Sequence, residues 1–179
     1  MATLGVQTLA LLGLAASIAV GLLFLAAGIG QWRHRALLPG VIANYRLLPR
    51  RMIMPAARML PVAELAIGLA LIAGLRPLPL LLGMGLLLLF AGAMAINIRR
   101  GRGHIDCGCG HGALRHPIGW PLVIRNVALA ALLALRLPPA PPFTALDIAT
   151  ALGAGVAIAL LCLLFQSLAA LAASPAHRR

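Results

Sequence analysis

The sequence predicts an all-α integral membrane protein, a bundle of about five transmembrane helices. Of its 179 residues, 62% are hydrophobic and only 10% are charged, whereas charged residues make up about a quarter of a soluble domain. Five long stretches carry almost no charge, and a helix needs roughly 20 apolar residues to cross a bilayer. We therefore expect one membrane domain over residues 1–179. The predicted helices lie at about 9–30, 55–75, 78–98, 117–137 and 148–173.

The first predicted helix carries three glycines, Gly13, Gly21 and Gly28, spaced about two turns apart. Small residues at this spacing let another helix approach closely, so they indicate a packing seam. No Lys or Arg precedes Arg33, and a signal peptide needs a positively charged start. We therefore expect this helix to be retained. The connection that follows is rich in arginine and aromatic residues, which predicts a segment lying along the membrane surface.

Prolines and glycines delimit the other helices. The second helix is expected to begin with Pro55, because proline is favoured at the first helical position, and to kink at Pro61. The turn at residues 76–79 is so short that the second and third helices must be antiparallel neighbours. Five glycines lie in residues 99–116, which makes this loop the most flexible predicted segment.

The arginines predict an orientation for the bundle. The chain has 15 Lys and Arg residues against three Asp and Glu, a formal charge of +12. Eleven arginines lie in the loops after the first and third helices and in the C-terminal tail, and Arg58, one turn inside the second helix, is a twelfth at the same end. The other end has Arg76 and Arg136. By the positive-inside rule the arginine-rich end is cytoplasmic. Arginines at the ends of membrane helices contact lipid headgroups, so we do not expect nucleic-acid binding.

The chemistry of the chain is concentrated at Cys107 and Cys109 in the 99–116 loop. Two cysteines separated by one glycine can close a small, strained disulfide ring, and strained, exposed disulfides are typical of exchange reactions. The neighbouring arginines favour the thiolate, whereas the adjacent Asp106 opposes it. The third cysteine, Cys162, lies deep in the last apolar stretch, where we expect it to be a packing residue.

Two other interpretations of this loop stay open. His104, Cys107, Cys109 and His111 offer two nitrogens and two sulfurs within eight residues, a set that zinc or copper accepts. Their spacing is tighter than the knuckles of ordinary zinc sites, so we name no metal as a resident ion. The remaining interpretation is an inert glycine-rich turn.

Glu64 is the other conspicuous polar residue, because an ionisable group inside a membrane helix is costly unless it is paired or protonated. Helix geometry places Arg125 within reach of its carboxylate, and Asn126 could join the same network. A buried ion pair that docks two helices is one interpretation. A proton-handling or quinone-contacting carboxylate is the other, and a quinone is the one cofactor that the sequence suggests.

Four polar segments carry a resemblance to a known family. They are ANYRLLP at 43–49, LPVAEL at 60–65, INIRRGRGHIDCGCG at 96–110 and PIGWPLVIRN at 117–126. In this order and spacing they resemble the MauE family of methylamine-utilisation proteins, which is grouped with the DoxX-like redox-associated membrane proteins. The resemblance implies a DoxX-like four-helix core followed by a C-terminal helix. It also implies a multi-pass protein of the bacterial inner membrane.

The resemblance further implies a role in maturing methylamine dehydrogenase, whose exported small subunit holds a tryptophan-derived quinone and many disulfides. The implied partners are a thioredoxin-like protein, that small subunit and the lipid bilayer. Cys107 and Cys109 would then be the catalytic pair of a thiol–disulfide oxidoreductase component. Quinone-linked oxidases of the DsbB type relay electrons through two cysteine pairs, so we do not expect a complete oxidase. The alternative is a non-enzymatic assembly or metal-handling membrane factor.

The family's role conflicts with the predicted orientation. Its client forms disulfides in the periplasm, whereas the arginine count places the cysteine loop in the cytoplasm. The sequence leaves the side of the loop open.

Overall fold

The computed structural model describes residues 2–106, 117–139 and 142–172, which form six α-helices without a named strand. Their bounds are α1 Ala2–Arg33, α2 Leu38–Tyr45, α3 Arg50–Ile72, α4 Leu78–Arg99, α5 Trp120–Ala134 and α6 Ala145–Ala172. Four of them, α1, α3, α4 and α6, are long and apolar enough to cross a membrane. The predicted all-α membrane bundle is confirmed.

The fourth predicted crossing, at about 117–137, corresponds to α5, which has only 15 residues. At 1.5 Å per residue it is about 22 Å long, whereas the hydrocarbon core is roughly 30 Å thick. It nevertheless joins the two ends of the bundle. It begins beside the end of α4, where Ile118 contacts Ile105, and the turn after it lies against Gly13 near the start of α1. Six of its 15 residues are buried against other helices.

Helix α1 lies at the centre of the bundle, and the glycines of its predicted seam are sites of close approach. A Cβ atom on Gly21 would lie 2.9 Å from the backbone oxygen of Gly68 in α3, and one on Gly28 would lie 3.1 Å from that of Pro61. The buried Ser17 hydroxyl donates a hydrogen bond of 3.2 Å to the Leu71 carbonyl. Backbones can approach this closely only where side chains are absent.

The remaining neighbours of α1 are α6 and the turn that follows α5. A Cβ on Gly13 would lie 2.9 Å from the backbone nitrogen of Arg136, so this glycine meets a turn and not α3. On α6, a Cβ on Gly155 would lie 2.8 Å from the carbonyl oxygen of Ala15. The three glycines of α1 therefore serve two different neighbours, not one continuous seam.

Helix α3 begins at Arg50, five residues before the predicted start at Pro55. Pro49 has an extended backbone, with φ −64° and ψ 150°, and serves as the N-cap. Both Pro55 and Pro61 are thus inside the helix. Membrane helices tolerate internal prolines because neighbouring groups can satisfy the carbonyls that lose their partners.

The surface segment between α1 and α3 contains the short helix α2, which the sequence analysis did not resolve as a helix. Pro39 lies in its first turn, and its last turn ends at Arg46 in the left-handed region, with φ 49°. Eight residues are too few to show a clear helical period in the sequence. The position of α2 beside α3 brings its apolar side chains against the main bundle.

At the arginine-poor end, two connecting turns are joined. Nη1 of Arg76, between α3 and α4, donates hydrogen bonds to the carbonyl oxygens of Arg136 (3.1 Å) and Pro138 (3.4 Å) after α5. The guanidinium carbon of Arg136 lies 5.0 Å from the centre of the Phe143 ring, a cation–π contact. Burial lowers the pKa of Arg136, and the charge of Arg76 lowers it further. These contacts hold the ends of three helices together.

Candidate functional site

The loop with the cysteine pair leaves α4 through an ordered cap. Gly101 has φ 72°, and its amide donates to the Ile98 carbonyl (3.0 Å), while the amide of Arg102 donates to the Asn97 carbonyl (2.9 Å). This is the Schellman arrangement, which satisfies the last carbonyls of a helix and favours glycine at the left-handed position. The chain therefore turns sharply where α4 ends.

Asn97 supports this cap from inside the bundle. Its side chain is fully buried, and Nδ2 donates to the Ala93 carbonyl (3.0 Å). Its Oδ1 accepts a longer hydrogen bond of 3.4 Å from Nη1 of Arg102. Asn97 was missed from the sequence, where its only signal is an amide in the last turn of an apolar helix.

The two ends of the loop meet at one point. Asp106 and Pro117 form an isolated antiparallel bridge, and the Ile118 amide donates to the Ile105 carbonyl at 3.0 Å. Ile105 and Ile118 are both buried in an apolar cluster with residues of α4 and α5. Segment 107–116 thus starts and finishes at an anchor that is tied to the bundle by hydrogen bonds and by apolar burial.

The predicted catalytic pair itself, Cys107 and Cys109, lies outside the described residues, as does His111. Of the predicted residues around it, Asp106 is half-buried and His104 is exposed. In the described ranges, no three His, Cys, Asp or Glu side chains are grouped so that they could hold a metal ion. The exchange pair and the alternative metal set both remain predictions.

Arg125 and Asn126 lie in one polar network inside the bundle. Nε and Nη2 of Arg125 donate to Asn126 Oδ1 at 3.3 and 3.0 Å. On α6, the Gln166 amide faces the same guanidinium, and with its oxygen turned inward it accepts from both terminal nitrogens. The half-buried Cys162 thiol of α6 lies within electrostatic range of Arg125. Gln166 was missed from the sequence because it and Ser167 form a short uncharged polar interruption of an apolar stretch.

Glu64 is 1% exposed and lies on the face of α3 that is turned inward. It shares this face with Pro61, Gly68 and Leu71, at spacings of three and four residues. Two of these residues contact α1 at the glycine positions described above. The pairing of Glu64 with Arg125 stays a prediction.

Comparison with known proteins identifies the family. The model of the methylamine utilisation protein MauE matches residues 9–139, about three quarters of the chain. The chain belongs to the MauE family. The resemblance given by its polar segments is thereby confirmed, and membership makes it a membrane protein involved in methylamine utilisation.

Several MauE proteins are similar over most of their length. The methylamine utilization protein MauE of Paracoccus denitrificans is 39% identical over 161 residues, which cover 88% of this chain and 87% of that protein. The MauE protein of Paracoccus versutus is 37% identical over 159 residues (87% and 84%). That of Methylorubrum extorquens is 41% identical over 140 residues (72% and 71%). No solved structure matches the chain, so the likeness of this MauE chain to DoxX-like proteins stays a prediction.

Proposed function

We propose that this chain is a thiol–disulfide exchange component of the bacterial inner membrane that supports maturation of periplasmic methylamine dehydrogenase. Its proposed partners are a thioredoxin-like protein and the small subunit of the dehydrogenase. The observation that carries the proposal is the anchored base of the cysteine segment at Asp106 and Pro117. Because the residues on both sides of segment 107–116 are fixed in the bundle, we expect a partner that exchanges with the two thiols to dock beside this anchor.

The exchange reaction needs only the two cysteines and a partner disulfide. The thiolate of one cysteine attacks the partner disulfide and forms a mixed disulfide, and one partner sulfur leaves as a thiolate. The second cysteine attacks the mixed bond, which closes the Cys107–Cys109 ring and releases the other partner sulfur. Two electrons and two protons pass from this chain to the partner, and the reverse sequence oxidises the partner.

Charged side chains of both signs surround the anchor. Arg99 and Arg100 are exposed at the end of α4, and Arg102 is half-buried beside Asn97. Positive charges near a thiol favour its ionised form, whereas the carboxylate of Asp106 acts in the opposite direction.

Serine substitutions of the two cysteines test the proposal. Strains carrying Cys107→Ser or Cys109→Ser should insert the membrane protein normally but lose active, correctly bridged dehydrogenase. Cys162→Ser is the matched control, because it removes a thiol of the same chain at a half-buried position in α6, and it should retain activity. Normal dehydrogenase activity in both loop variants would contradict the exchange role.

Purified protein distinguishes exchange from the alternative, a non-enzymatic assembly or metal-handling factor. Exchange predicts that the two loop thiols and a disulfide interconvert in a glutathione redox buffer, measured by alkylation and mass spectrometry of the intact chain. One stoichiometric zinc or copper ion held on reduced cysteines, with no disulfide formed across the buffer series, would favour the metal factor.

A further inference from the structure

A long apolar groove opens between α3 and α4 at the arginine-rich end of the bundle. Its volume is about 690 Å³, and its lining comes from the end of α1, from α2 and from both flanking helices. Along α4 the lining runs from Leu86 to Ile96, a rise of about 15 Å. Met59 and Leu89 lie on its two sides and are more than half exposed. The groove is therefore open toward the lipid.

The polar group of interest in this groove is the amide of Gln31. The residue lines the groove near the end of α1 and is only 8% exposed. Its Oε1 atom is buried and has no hydrogen-bond partner among the described residues. A buried acceptor without a donor has a free-energy cost, because the hydrogen bond it would make to water is not replaced. A ligand that brings a donor to this atom would recover that cost.

We propose that the groove binds a membrane-soluble isoprenoid quinol, whose ring hydroxyl donates a hydrogen bond to Oε1 of Gln31. The apolar tail would follow α4 away from the arginine-rich end. A volume of about 690 Å³ lies in the usual range for small-molecule sites, about 300–1,000 Å³. Binding at this site does not depend on the thiol exchange proposed above.

The donor requirement favours a quinol over a phospholipid. The ester oxygens of a phospholipid, which lie at the depth where acyl chains begin, are acceptors and cannot satisfy Oε1. Its donors, where it has any, belong to the hydrated headgroup, whereas Gln31 is buried. A quinol carries hydroxyl donors directly on the apolar body that fills the groove.

The site differs from the one that the sequence suggested. Glu64, the carboxylate considered for a quinone contact, is not among the described lining residues of this groove. It lies on the inward face of α3, whereas Met59 of the same helix faces the groove. The inference therefore rests on Gln31, which the sequence analysis did not select.

Binding of tritiated decylubiquinol to the purified full chain in phosphatidylcholine nanodiscs tests the proposal. Wild-type protein should bind saturably, and Gln31→Leu should bind about tenfold more weakly, as expected for one lost hydrogen bond. The di-O-methyl ether of the same quinol has no donor. It should bind wild-type protein about tenfold more weakly than the quinol, and Gln31→Leu should not distinguish the two compounds.

A second pair of variants tests the groove by filling it. Gly92 lines the groove, and a Cβ there meets no atom within 4 Å, so Gly92→Phe can place its ring in the groove without disturbing the helix. It should abolish saturable binding. Gly85→Phe is the matched control, because Gly85 is an exposed α4 glycine with equally open surroundings but outside the lining. Gln7→Leu, at the other end of α1, controls for loss of an amide.

Three results would overturn the inference. The first is that wild-type protein shows no saturable quinol binding, and the second is that wild-type, Gln31→Leu and Gly92→Phe bind quinol with equal affinity. The third is that Gly92→Phe loses a co-purified phospholipid while its quinol binding is unchanged. Monodisperse elution and an unchanged melting temperature of each variant show that it is folded. The experiment measures quinol binding, so a negative result would leave the cysteine exchange proposal untouched. Conversely, cysteine variants that are inactive in exchange but still bind quinol would show that the two functions are separate.

Discussion

Two glycines that face each other set the distance between α1 and α3. The Gly21 position has no room for a methyl group, because its Cβ would lie 2.7 Å from Cγ1 of Ile72 and 2.9 Å from the Gly68 oxygen. One of these atoms belongs to the backbone and cannot rotate away. The α1–α3 contact therefore depends on the residue type at single positions, and it is sensitive to the smallest possible substitution.

We predict that Gly21→Ala destabilises the bundle by about 1–3 kcal/mol, the usual cost of overpacking a filled core. The free energy of unfolding in mixed detergent micelles, titrated with sodium dodecyl sulfate, measures the effect. Gly85→Ala is the control: it lies in open space on α4 and should be neutral or slightly stabilising, since alanine is the better helix former. Equal stabilities of the two variants would refute close packing at Gly21.

Residues whose role depends on spacing along one helix could be predicted from the sequence, whereas residues whose role depends on packing between helices could not. Gly13, Gly21 and Gly28 were found because their spacing is visible along one helix. Gln31 was not, because beside Trp32 and Arg33 it looks like an ordinary residue of the membrane interface. Its burial depends on helices that are distant in sequence and pack around the end of α1, which no local pattern reveals.

Among the elements of the fold, the connection from α4 to α5 is the one most directly related to the proposed function. The left-handed Gly101 redirects the chain, and the Ile105 and Ile118 pair closes the base of the cysteine segment. The helix cap and apolar burial both hold this anchor.

We predict that Gly101→Ala weakens the anchor by about 1 kcal/mol, because a residue with a Cβ is strained at φ 72°. Gly103→Ala is the matched control in the same connection: its Cβ would lie 3.7 Å from the Ile118 oxygen, an ordinary contact, and its φ is not positive. Hydrogen exchange of the Ile118 amide, which bonds to Ile105, should accelerate in the first variant only. Equal exchange in both would show that the cap does not support the anchor.

The sequence predicted the long elements well and their boundaries less well. Uninterrupted apolar stretches located α1, α3, α4, α5 and α6 because few charges are tolerated in lipid. The start of α3 at Arg50 was missed because Pro55 has the character of a first helical residue, and internal prolines cost little where neighbours compensate. The bridge between Asp106 and Pro117 joins residues eleven positions apart and leaves no periodic signal.

For the whole molecule, the helix directions fix which connections share a membrane side. The ends of α1, α4 and α6 lie at the arginine-rich end, whereas the turns with Arg76 and Arg136 meet at the other end. The cysteine loop and the C-terminus should therefore be in one compartment and the N-terminus in the other. The positive-inside rule assigns the first compartment to the cytoplasm.

Labelling with a membrane-impermeant maleimide checks this arrangement. In a Cys162→Ser background, Cys107 and Cys109 should react from one side only: in inverted vesicles if the arginine-rich end is cytoplasmic, and in intact spheroplasts if the loop exchanges directly with the exported small subunit. A cysteine added after Arg179 should follow the same pattern, and one added before Met1 should show the opposite pattern. Reaction of the loop in spheroplasts would place it in the periplasm, and reaction of both added cysteines on one side would contradict five crossings.

The place of α1 at the centre of the bundle has a consequence for biogenesis. The ribosome completes this helix first, yet its surface around Ala15 and Ile18 is covered by Ala151 and Gly155 of α6, the last helix to emerge. Until translation ends, the insertion machinery or lipid must cover that strip. Chains truncated before α6 should therefore be the preferred substrates of membrane quality-control proteases.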